Sequence, residues 1–202
     1  MLMPFWLKML RCRKNLPSFS PLLDTQQALE KLADGELLAC PTEAVWGLSC
    51  DPFNEQAVAS LLALKQRPVE KGLIVIFPSV TALAPFLEKP EQATNDMACA
   101  PGQQGITWLV EIKPNSLPAW VTGQHKTLAV RISSHPTLQA LSQKFGPIVS
   151  TSANPTGAPE AKSLSEVKAY FADSLYYCQG ELGKAEKPSI IKDLTTGQVL
   201  RG

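Results

Sequence analysis

The chain has few of the residues that build metal sites or disulfide frameworks. It carries two histidines and five cysteines in 202 residues, and no two cysteines stand at Cys-x-x-Cys spacing. Structural zinc sites and disulfide-rich folds need such ligands in closely spaced sets. The cysteines are instead spread along the sequence, at Cys12, Cys40, Cys50, Cys99 and Cys178. We therefore predict a cytoplasmic protein with reduced thiols and no metal-binding cluster of its own.

The chain also lacks a long uncharged apolar run. Residues 1–10 are mostly apolar, but Lys8 interrupts them and further basic residues follow, whereas a secretory signal carries its positive charges before the apolar segment. No stretch approaches the roughly 18 apolar residues that a membrane-spanning helix needs. The sequence thus predicts no membrane span. We expect residues 1–20 to be a basic and apolar arm outside the core, and residues 21–202 to be one folded domain.

An excess of charge of one sign is missing as well. The formal net charge is +1, and four of the nineteen basic residues (Lys8, Arg11, Arg13 and Lys14) precede the first acidic residue, Asp24. The remainder has fifteen basic against eighteen acidic residues, a formal charge of −3. Overall charge therefore gives no reason to expect binding to nucleic acid, and any basic patch must be local.

What the chain does contain is an alternation of helix and strand patterns. Asp24 with Gln27, and Ser163 with Glu166, have the spacing of a capping box at a helix start. Apolar residues at helical spacing predict helices at 25–34, 55–64, 81–87, 137–144 and 164–171. Short apolar runs predict strands at 37–40, 73–77, 106–112, 127–132, 148–150, 174–178, 189–194 and 198–201. This alternation is typical of a single α/β domain with a largely buried sheet.

Three cations follow the second predicted helix. Lys65 and Arg67 lie just past its end, before Pro68 prevents its continuation, and Lys71 comes four residues after Arg67. A compact ammonium and a planar guanidinium together suit a polyphosphate. The alternative is that they only favour the negative end of a helix dipole.

A polar cluster follows a predicted strand. Ser150, Thr151, Ser152 and Asn154 come after the apolar pair Ile148-Val149, and ligand sites in α/β sheets lie outside the carboxyl ends of strands. The hydroxyls and the amide suit a phosphate, a ribose or a carboxylate, or else they form an ordinary turn.

Arg131 ends an otherwise apolar strand, so it must either be paired or face a cleft. Thr42 and Glu43 follow another strand and are candidates for the wall of the same cleft. His125 and His135 have no partner at the spacing of a metal site or a catalytic triad, and we assign them no role.

Seven blocks of the sequence resemble the YrdC/TsaC family, in the same order and spacing from about residue 22 to the end. They are residues 41–48, 65–68, 73–76, 128–131, 150–154 with Gly157, 189–193 and 200–202. The details of the first blocks are similar to the bacterial TsaC type. The resemblance implies a twisted mixed sheet with flanking helices around a deep electropositive cavity.

The activity that the resemblance implies is that of an L-threonylcarbamoyladenylate synthase, a nucleotidyltransferase. Such an enzyme makes threonylcarbamoyl-AMP and pyrophosphate from L-threonine, bicarbonate and ATP, with Mg²⁺ carried on the ATP. The product is handed to the tRNA threonylcarbamoyl transferase machinery for N6-threonylcarbamoyladenosine modification of tRNA. Direct RNA contact is a further expectation.

The family motif also assigns roles to residues of this chain. It implies that the catalytic residues are Lys65, Arg67, Ser152 and Asn154. It implies that ATP is bound by Lys65, Arg67, Thr127, Asn154 and Arg201. It implies that threonine is bound by Thr42, Arg131, Ser152 and Ser189.

The sequence departs from the family pattern in one segment and also at Ala44, Lys71 and Ile76, where other branches of the family have Thr, Asn and His. The family usually has Trp-Pro-Gly-Pro-x-Thr before its central strand, and this chain has instead Ala100-Pro101-Gly102-Gln103-Gln104-Gly105-Ile106-Thr107. Two alternatives to the synthase stay open. One is a non-catalytic module that binds double-stranded RNA or tRNA, and the other is a paralogue that uses another carbamoyl or acyl adenylate.

Overall fold

The computed structural model describes residues 22–98 and 104–201. The helices are α1 (Thr25–Ala33), α2 (Glu55–Lys65), α3 (Val80–Leu83), α4 (Ala119–Thr122), α5 (Pro136–Phe145) and α6 (Leu164–Phe171). The strands are β1 (Leu38–Pro41), β2 (Trp46–Ser49), β3 (Ile74–Ile76), β4 (Ile106–Glu111), β5 (Thr127–Arg131), β6 (Ile148–Ser152), β7 (Tyr176–Tyr177), β8 (Ile190–Asp193) and β9 (Val199–Arg201). None of the helices in this described part has the length and apolar composition needed to cross a membrane.

Within the described residues the strands form one mixed sheet in the order β7-β1-β2-β6-β3-β5-β4-β8-β9. Three neighbouring pairs are parallel, β1 with β7, β3 with β5 and β4 with β8. The other five pairs are antiparallel. The predicted α/β class and the mixed sheet with flanking helices are therefore confirmed.

The two faces of the sheet pack against different apolar clusters. Alternate residues of a strand point to opposite faces. Val75, Val149 and Val130 belong to the larger apolar cluster, which includes residues of α2 and α6. Their neighbours Ile76 and Ile148 face the other way, into a smaller cluster that contains residues of α1 and α5. The helices α1 and α5 cover only part of the face that carries Ile76 and Ile148.

Local signals placed most of the elements correctly. At the start of α1 the Asp24 carboxylate accepts a hydrogen bond from the Gln27 N–H and the Gln27 side chain accepts one from the Asp24 N–H, which is the predicted capping box. The second box is only half formed. Ser163 caps α6 as predicted, but the Glu166 carboxylate accepts from the N–H of Lys162 instead.

Two strand predictions need correction near the polar cluster. The strand β2 was not predicted, although it pairs with β1 along its whole length. The strand β6 continues to Ser152 instead of ending at Ser150, because β2 supplies a partner for its last residues, with Gly47 opposite Ser152. The hydroxyls of Thr151 and Ser152, which were expected beyond the end of the strand, therefore lie on the strand itself.

Candidate active site

A cavity of about 340 Å³ lies on the face of the sheet that α1 and α5 leave open. Its floor is a row of register partners on four neighbouring strands. Ile74 of β3 stands between Ser150 of β6 and Ala129 of β5, and Leu109 of β4 stands beyond Ala129. All four residues line the cavity. Thr127, Ala129 and Arg131 alternate along β5, so their side chains share this face.

The wall of the cavity is rich in cations. Arg67, Lys71 and Arg131 all line it, together with His125. Glu160 is the one carboxylate among the described lining residues. A wall of this charge attracts anions, since positive groups around a low-dielectric hollow reinforce one another.

The two cations of the Lys-Gln-Arg segment occupy different positions. Lys65 was expected just past the helix but is the last residue of α2. Gln66 then adopts a left-handed conformation, with φ of 51°, which ends the helix. Arg67 follows in the irregular segment, where its Nη2 donates to the Gly72 carbonyl at 2.8 Å. The turn at Gln66 thus separates a buried ammonium from a guanidinium in the cavity wall.

Lys65 is 3% exposed, and its ammonium donates to the backbone carbonyls of Ser152 and, at 2.7 Å, of Asn154. Among the described residues it has no carboxylate within ion-pair distance. Desolvation by burial, with a smaller contribution from the Arg67 charge, lowers the pKa of Lys65 to about 8, and Glu160 partly opposes this shift. An ammonium with a pKa so close to neutrality is typical of functional sites.

The segment after β6 is tied to the end of α2. Both the N–H and the hydroxyl of Thr156 donate to the Lys65 carbonyl, at 2.8 and 2.9 Å. The side-chain amide of Asn154 donates to the Ala158 carbonyl at 2.6 Å. Lys65 and Asn154 therefore lie together, as predicted, but neither is among the residues that line the cavity.

Arg131 is both paired and in the cavity wall, so the two expectations for it hold together. Its Nη2 lies 2.6 Å from a carboxylate oxygen of Glu43. The other oxygen of Glu43 accepts from the Ser133 hydroxyl at 2.6 Å and from the Ser134 N–H at 3.1 Å. Burial opposes the ionisation of Glu43, but Arg131 and these two donors outweigh it and lower the pKa of the carboxyl. Glu43 is thus a charged, buried partner of the arginine.

The remaining predicted hydroxyls line the cavity, and two of them are already hydrogen-bonded. Thr42 and Ser189 line it along with Thr127 and Ser152. The Thr42 hydroxyl donates to the Val45 carbonyl at 2.8 Å. The Ser189 hydroxyl lies 2.8 Å from that of Thr107. The side chain of Arg201 lies outside the described residues, as do residues 100–103 of the atypical segment.

The sequence analysis missed two members of the wall, His125 and Glu160. His125 follows the glycine that ends α4, and Glu160 lies in the segment between β6 and α6. Neither stands in a recognisable pattern, so no signal in the sequence marks them. In residues 22–98 and 104–201 no three His, Cys, Asp or Glu side chains are placed to hold a metal ion.

The comparison with known proteins identifies the family. The family model for Sua5, YciO and YrdC, described as telomere recombination, matches residues 30–202. The chain belongs to the Sua5/YciO/YrdC family. This confirms the resemblance seen in the sequence.

Relatives from bacteria are similar over almost their whole length. The threonylcarbamoyl-AMP synthase of Acinetobacter baylyi is 45% identical over 182 residues, which covers 87% of this chain and 95% of the relative. The threonylcarbamoyl-AMP synthase of Pseudomonas entomophila is 48% identical over 177 residues, with the same coverage of both chains.

Two solved structures of the family show the same fold. The structure of Sua5 from P. abyssi complexed with L-threonine superposes with a TM-score of 0.77 at 25% identity. It covers 89% of this chain, which spans 56% of that longer protein. E. coli YciO superposes with a TM-score of 0.75 at 22% identity and covers 91% of this chain and 95% of its own.

Proposed function

We propose that this member of the family is an L-threonylcarbamoyladenylate synthase of the bacterial TsaC type. It makes threonylcarbamoyl-AMP and pyrophosphate from L-threonine, bicarbonate and ATP. The observation that carries the proposal is the convergence of Arg67, Lys71 and Arg131 with strand hydroxyls around one cavity. The names of the relatives, at 45% and 48% identity over nearly their full length, support the same activity.

The chemistry brings together two anions. Threonine's amine attacks the carbon of bicarbonate and water is lost, which gives a carbamate, and the carbamate oxygen then attacks the α-phosphorus while pyrophosphate leaves. Positive side chains must offset the repulsion between the reactants and the charge that develops on the leaving group. No covalent nucleophile is needed, and an enclosed site limits hydrolysis of the carbamate.

Each cation contributes from a different position. Arg67, whose direction is fixed by its bond to the Gly72 carbonyl, binds the phosphates from the cavity wall. Lys65 acts from beside the wall, where its charge adds to that of Arg67 and its ammonium holds the carbonyls of Ser152 and Asn154. Lys65 therefore places a positive charge near the phosphates and also holds the segment that carries Ser152 through hydrogen bonds to its backbone.

The remaining residues are assigned to the amino acid and to the nucleotide. Arg131 binds the threonine carboxylate, with Thr42, Ser152 and Ser189 as hydroxyl partners for the amino acid. Thr127, which also lines the cavity, binds the nucleotide. Asn154 and Arg201 complete the nucleotide set in our proposal. Mg²⁺ bound to the triphosphate would neutralise part of the phosphate charge and would need few protein ligands, since magnesium is often held mainly by substrate phosphates and water.

The product is a reactive adenylate that must be used quickly. We propose that it passes in the cytoplasm to the tRNA threonylcarbamoyl transferase machinery, which modifies tRNA to N6-threonylcarbamoyladenosine.

The test is the release of pyrophosphate from ATP with and without threonine and bicarbonate, with mass spectrometry of the nucleotide product from labelled threonine. We expect a product that contains threonine, carbonate carbon and AMP. Release that does not depend on threonine contradicts the proposal. A product with another acyl group favours the paralogue, and steeply salt-dependent RNA binding without turnover favours the RNA-binding module.

A further inference from the structure

Arg131 lies against two neighbours, Glu43 and Gly105. We infer that Glu43 and Gly105 together fix the direction of the Arg131 guanidinium and so set the affinity for the amino acid. The inference rests on the proposed function, because it assigns the carboxylate of threonine to this arginine. Both neighbours are positioning residues, since neither is proposed to touch the substrate.

The first part of the arrangement is the buried ion pair. Glu43 is 3% exposed and Arg131 is 9% exposed. Removing either charge from water is costly unless the two are paired with good geometry. Among the described residues Glu43 is the only charged partner of the guanidinium. The position of the Arg131 guanidinium therefore depends on the position of the Glu43 carboxylate.

The carboxylate itself is held from the other side. Its second oxygen accepts from Ser133 and Ser134, two and three residues beyond Arg131. The Ser133 hydroxyl oxygen in turn accepts from the N–H of His135 at 3.1 Å. Two donors on one oxygen leave the carboxylate a single orientation, with its other oxygen towards Nη2 of Arg131.

Gly105 is the second neighbour that restricts the Arg131 guanidinium. A Cβ atom built on Gly105 would lie 2.7 Å from Cζ and 2.8 Å from Nε of Arg131, well inside van der Waals contact. The guanidinium thus lies directly against the backbone at Gly105. A methyl group there must displace the guanidinium from its present position, although the glutamate and its serine donors stay unchanged.

This arrangement gives two independent ways to misdirect one arginine. Glu43→Gln keeps the shape of the side chain but removes its charge, and Gly105→Ala keeps the charge but occupies the place of the guanidinium. Glu111→Gln is the matched control, because it removes the charge from an exposed carboxylate that lies 3.3 Å from Lys89. Arg131→Lys removes the planar fork itself.

The experiment measures L-threonine binding by titration calorimetry without ATP, the KM values for threonine and for ATP, and the unfolding midpoint. Because each variant misdirects the guanidinium that is proposed to bind the threonine carboxylate, Glu43→Gln and Gly105→Ala should each weaken threonine binding about tenfold. The KM for ATP should stay within about twofold of its value in the wild type, because the phosphates bind elsewhere. Glu43→Gln should add little to the loss already caused by Arg131→Lys, since residues that act as one unit are not additive.

Several results overturn the inference. One is a folded Glu43→Gln variant that binds threonine like the wild type. Another is an equal loss of affinity for threonine and ATP with a lowered unfolding midpoint, which indicates a purely structural role. If Glu43→Gln does not fold, Gly105→Ala decides alone, and normal threonine binding in it overturns the inference. A wild type that binds threonine without threonine-dependent pyrophosphate release refutes the proposed function only, whereas one that does not bind threonine refutes both.

Discussion

At the scale of single residues, the site depends on where charges are placed relative to water. Arg67 lies in the cavity wall, Lys65 is buried beside it, and Arg131 is paired with Glu43. Each of these three cations adds one positive charge to the net charge of the protein. Their different surroundings give each a different effect on substitution.

Arg67→Ala should lower turnover strongly and leave the fold intact. Loss of one charge that matches the transition state typically costs about 10²- to 10³-fold in kcat. Lys65→Ala should lower turnover as well, and it should also lower the unfolding midpoint, because the carbonyls of Ser152 and Asn154 lose their donor.

Pyrophosphate release and thermal unfolding of both variants check this pair of outcomes. Lys144→Ala is the control, since it removes an exposed cation of α5. Wild-type rates in the Arg67 variant would remove that residue from the site. An unchanged unfolding midpoint in the Lys65 variant would contradict its structural role.

The lowered pKa of Lys65 predicts opposite effects of pH on activity and stability. Between the folded-state pKa of about 8 and the ordinary value of 10.5, the unfolded chain binds more protons than the folded one. Stability therefore gains a contribution from this residue as pH rises through that interval. Activity should fall over the same interval, because the neutral amine no longer offsets phosphate charge.

The measurement is the pH profile of kcat/KM for ATP beside that of the free energy of unfolding. Lys65→Arg should move the decline in activity to higher pH, since a guanidinium stays protonated. A decline at the same pH in that variant would assign it to another group.

At the scale of elements, two glycines let a short helical segment and α4 form one wall of the cavity. Gly72 ends the 3-10 turn Val69–Lys71 with φ of +61°, and Gly123 ends α4 with φ of +65°. A Cβ on Gly123 would lie 2.5 Å from the Glu70 carbonyl oxygen. The backbones of the two segments are therefore in direct contact beside Lys71 and Thr122, which line the cavity.

Gly123→Ala should destabilise the protein by about 2 kcal/mol, from the left-handed backbone and the clash together. Urea unfolding measures the change. Gly197→Ala is a close control, because its φ of +70° is similar but nothing lies within 4 Å of its added Cβ. Equal losses in the two variants would show that the contact with Glu70 contributes nothing.

At the scale of the whole molecule, the arm predicted for residues 1–20 lies outside the described residues. The described part of the folded body begins with Leu22, whose carbonyl accepts from the Gln179 side chain, and with Leu23, whose N–H donates to the Tyr177 carbonyl and whose carbonyl accepts from the Gln179 N–H. The family match begins at residue 30. The arm carries Lys8, Arg11 and two further cations, so any effect of the arm should be electrostatic.

A chain without residues 1–20 should keep its unfolding midpoint, and its threonine-dependent turnover should stay within about twofold. Its non-specific affinity for single-stranded RNA should fall, and the slope against salt concentration should decrease by up to about 3, because four cations are lost. Filter binding at several salt concentrations measures this. A loss of turnover would show that the arm belongs to the catalytic body.

Most of the architecture was predictable because its signals are local. The capping box of Asp24 and Gln27 starts α1, and uninterrupted apolar runs became buried strands such as β3 and β5. The strand β2 was missed, since its four residues include Gly47 and no alternation. What makes it a strand is a partner on each side, β1 and β6, and no local pattern reports such partners.

The candidate site residues came from two sources. Local patterns in the sequence pointed to Lys65, Arg67, Arg131 and the hydroxyls around the end of β6, and the family motif added Thr127, Ser189 and Arg201. The sequence also determined the fold class and the family, because both depend on the order of local patterns along the chain. It did not determine that Lys65 is buried, that Gly105 lies against Arg131, or that Glu43 is the partner of that arginine. Only the tertiary structure decided these points, because burial and charge pairing depend on which distant segments the sheet brings together.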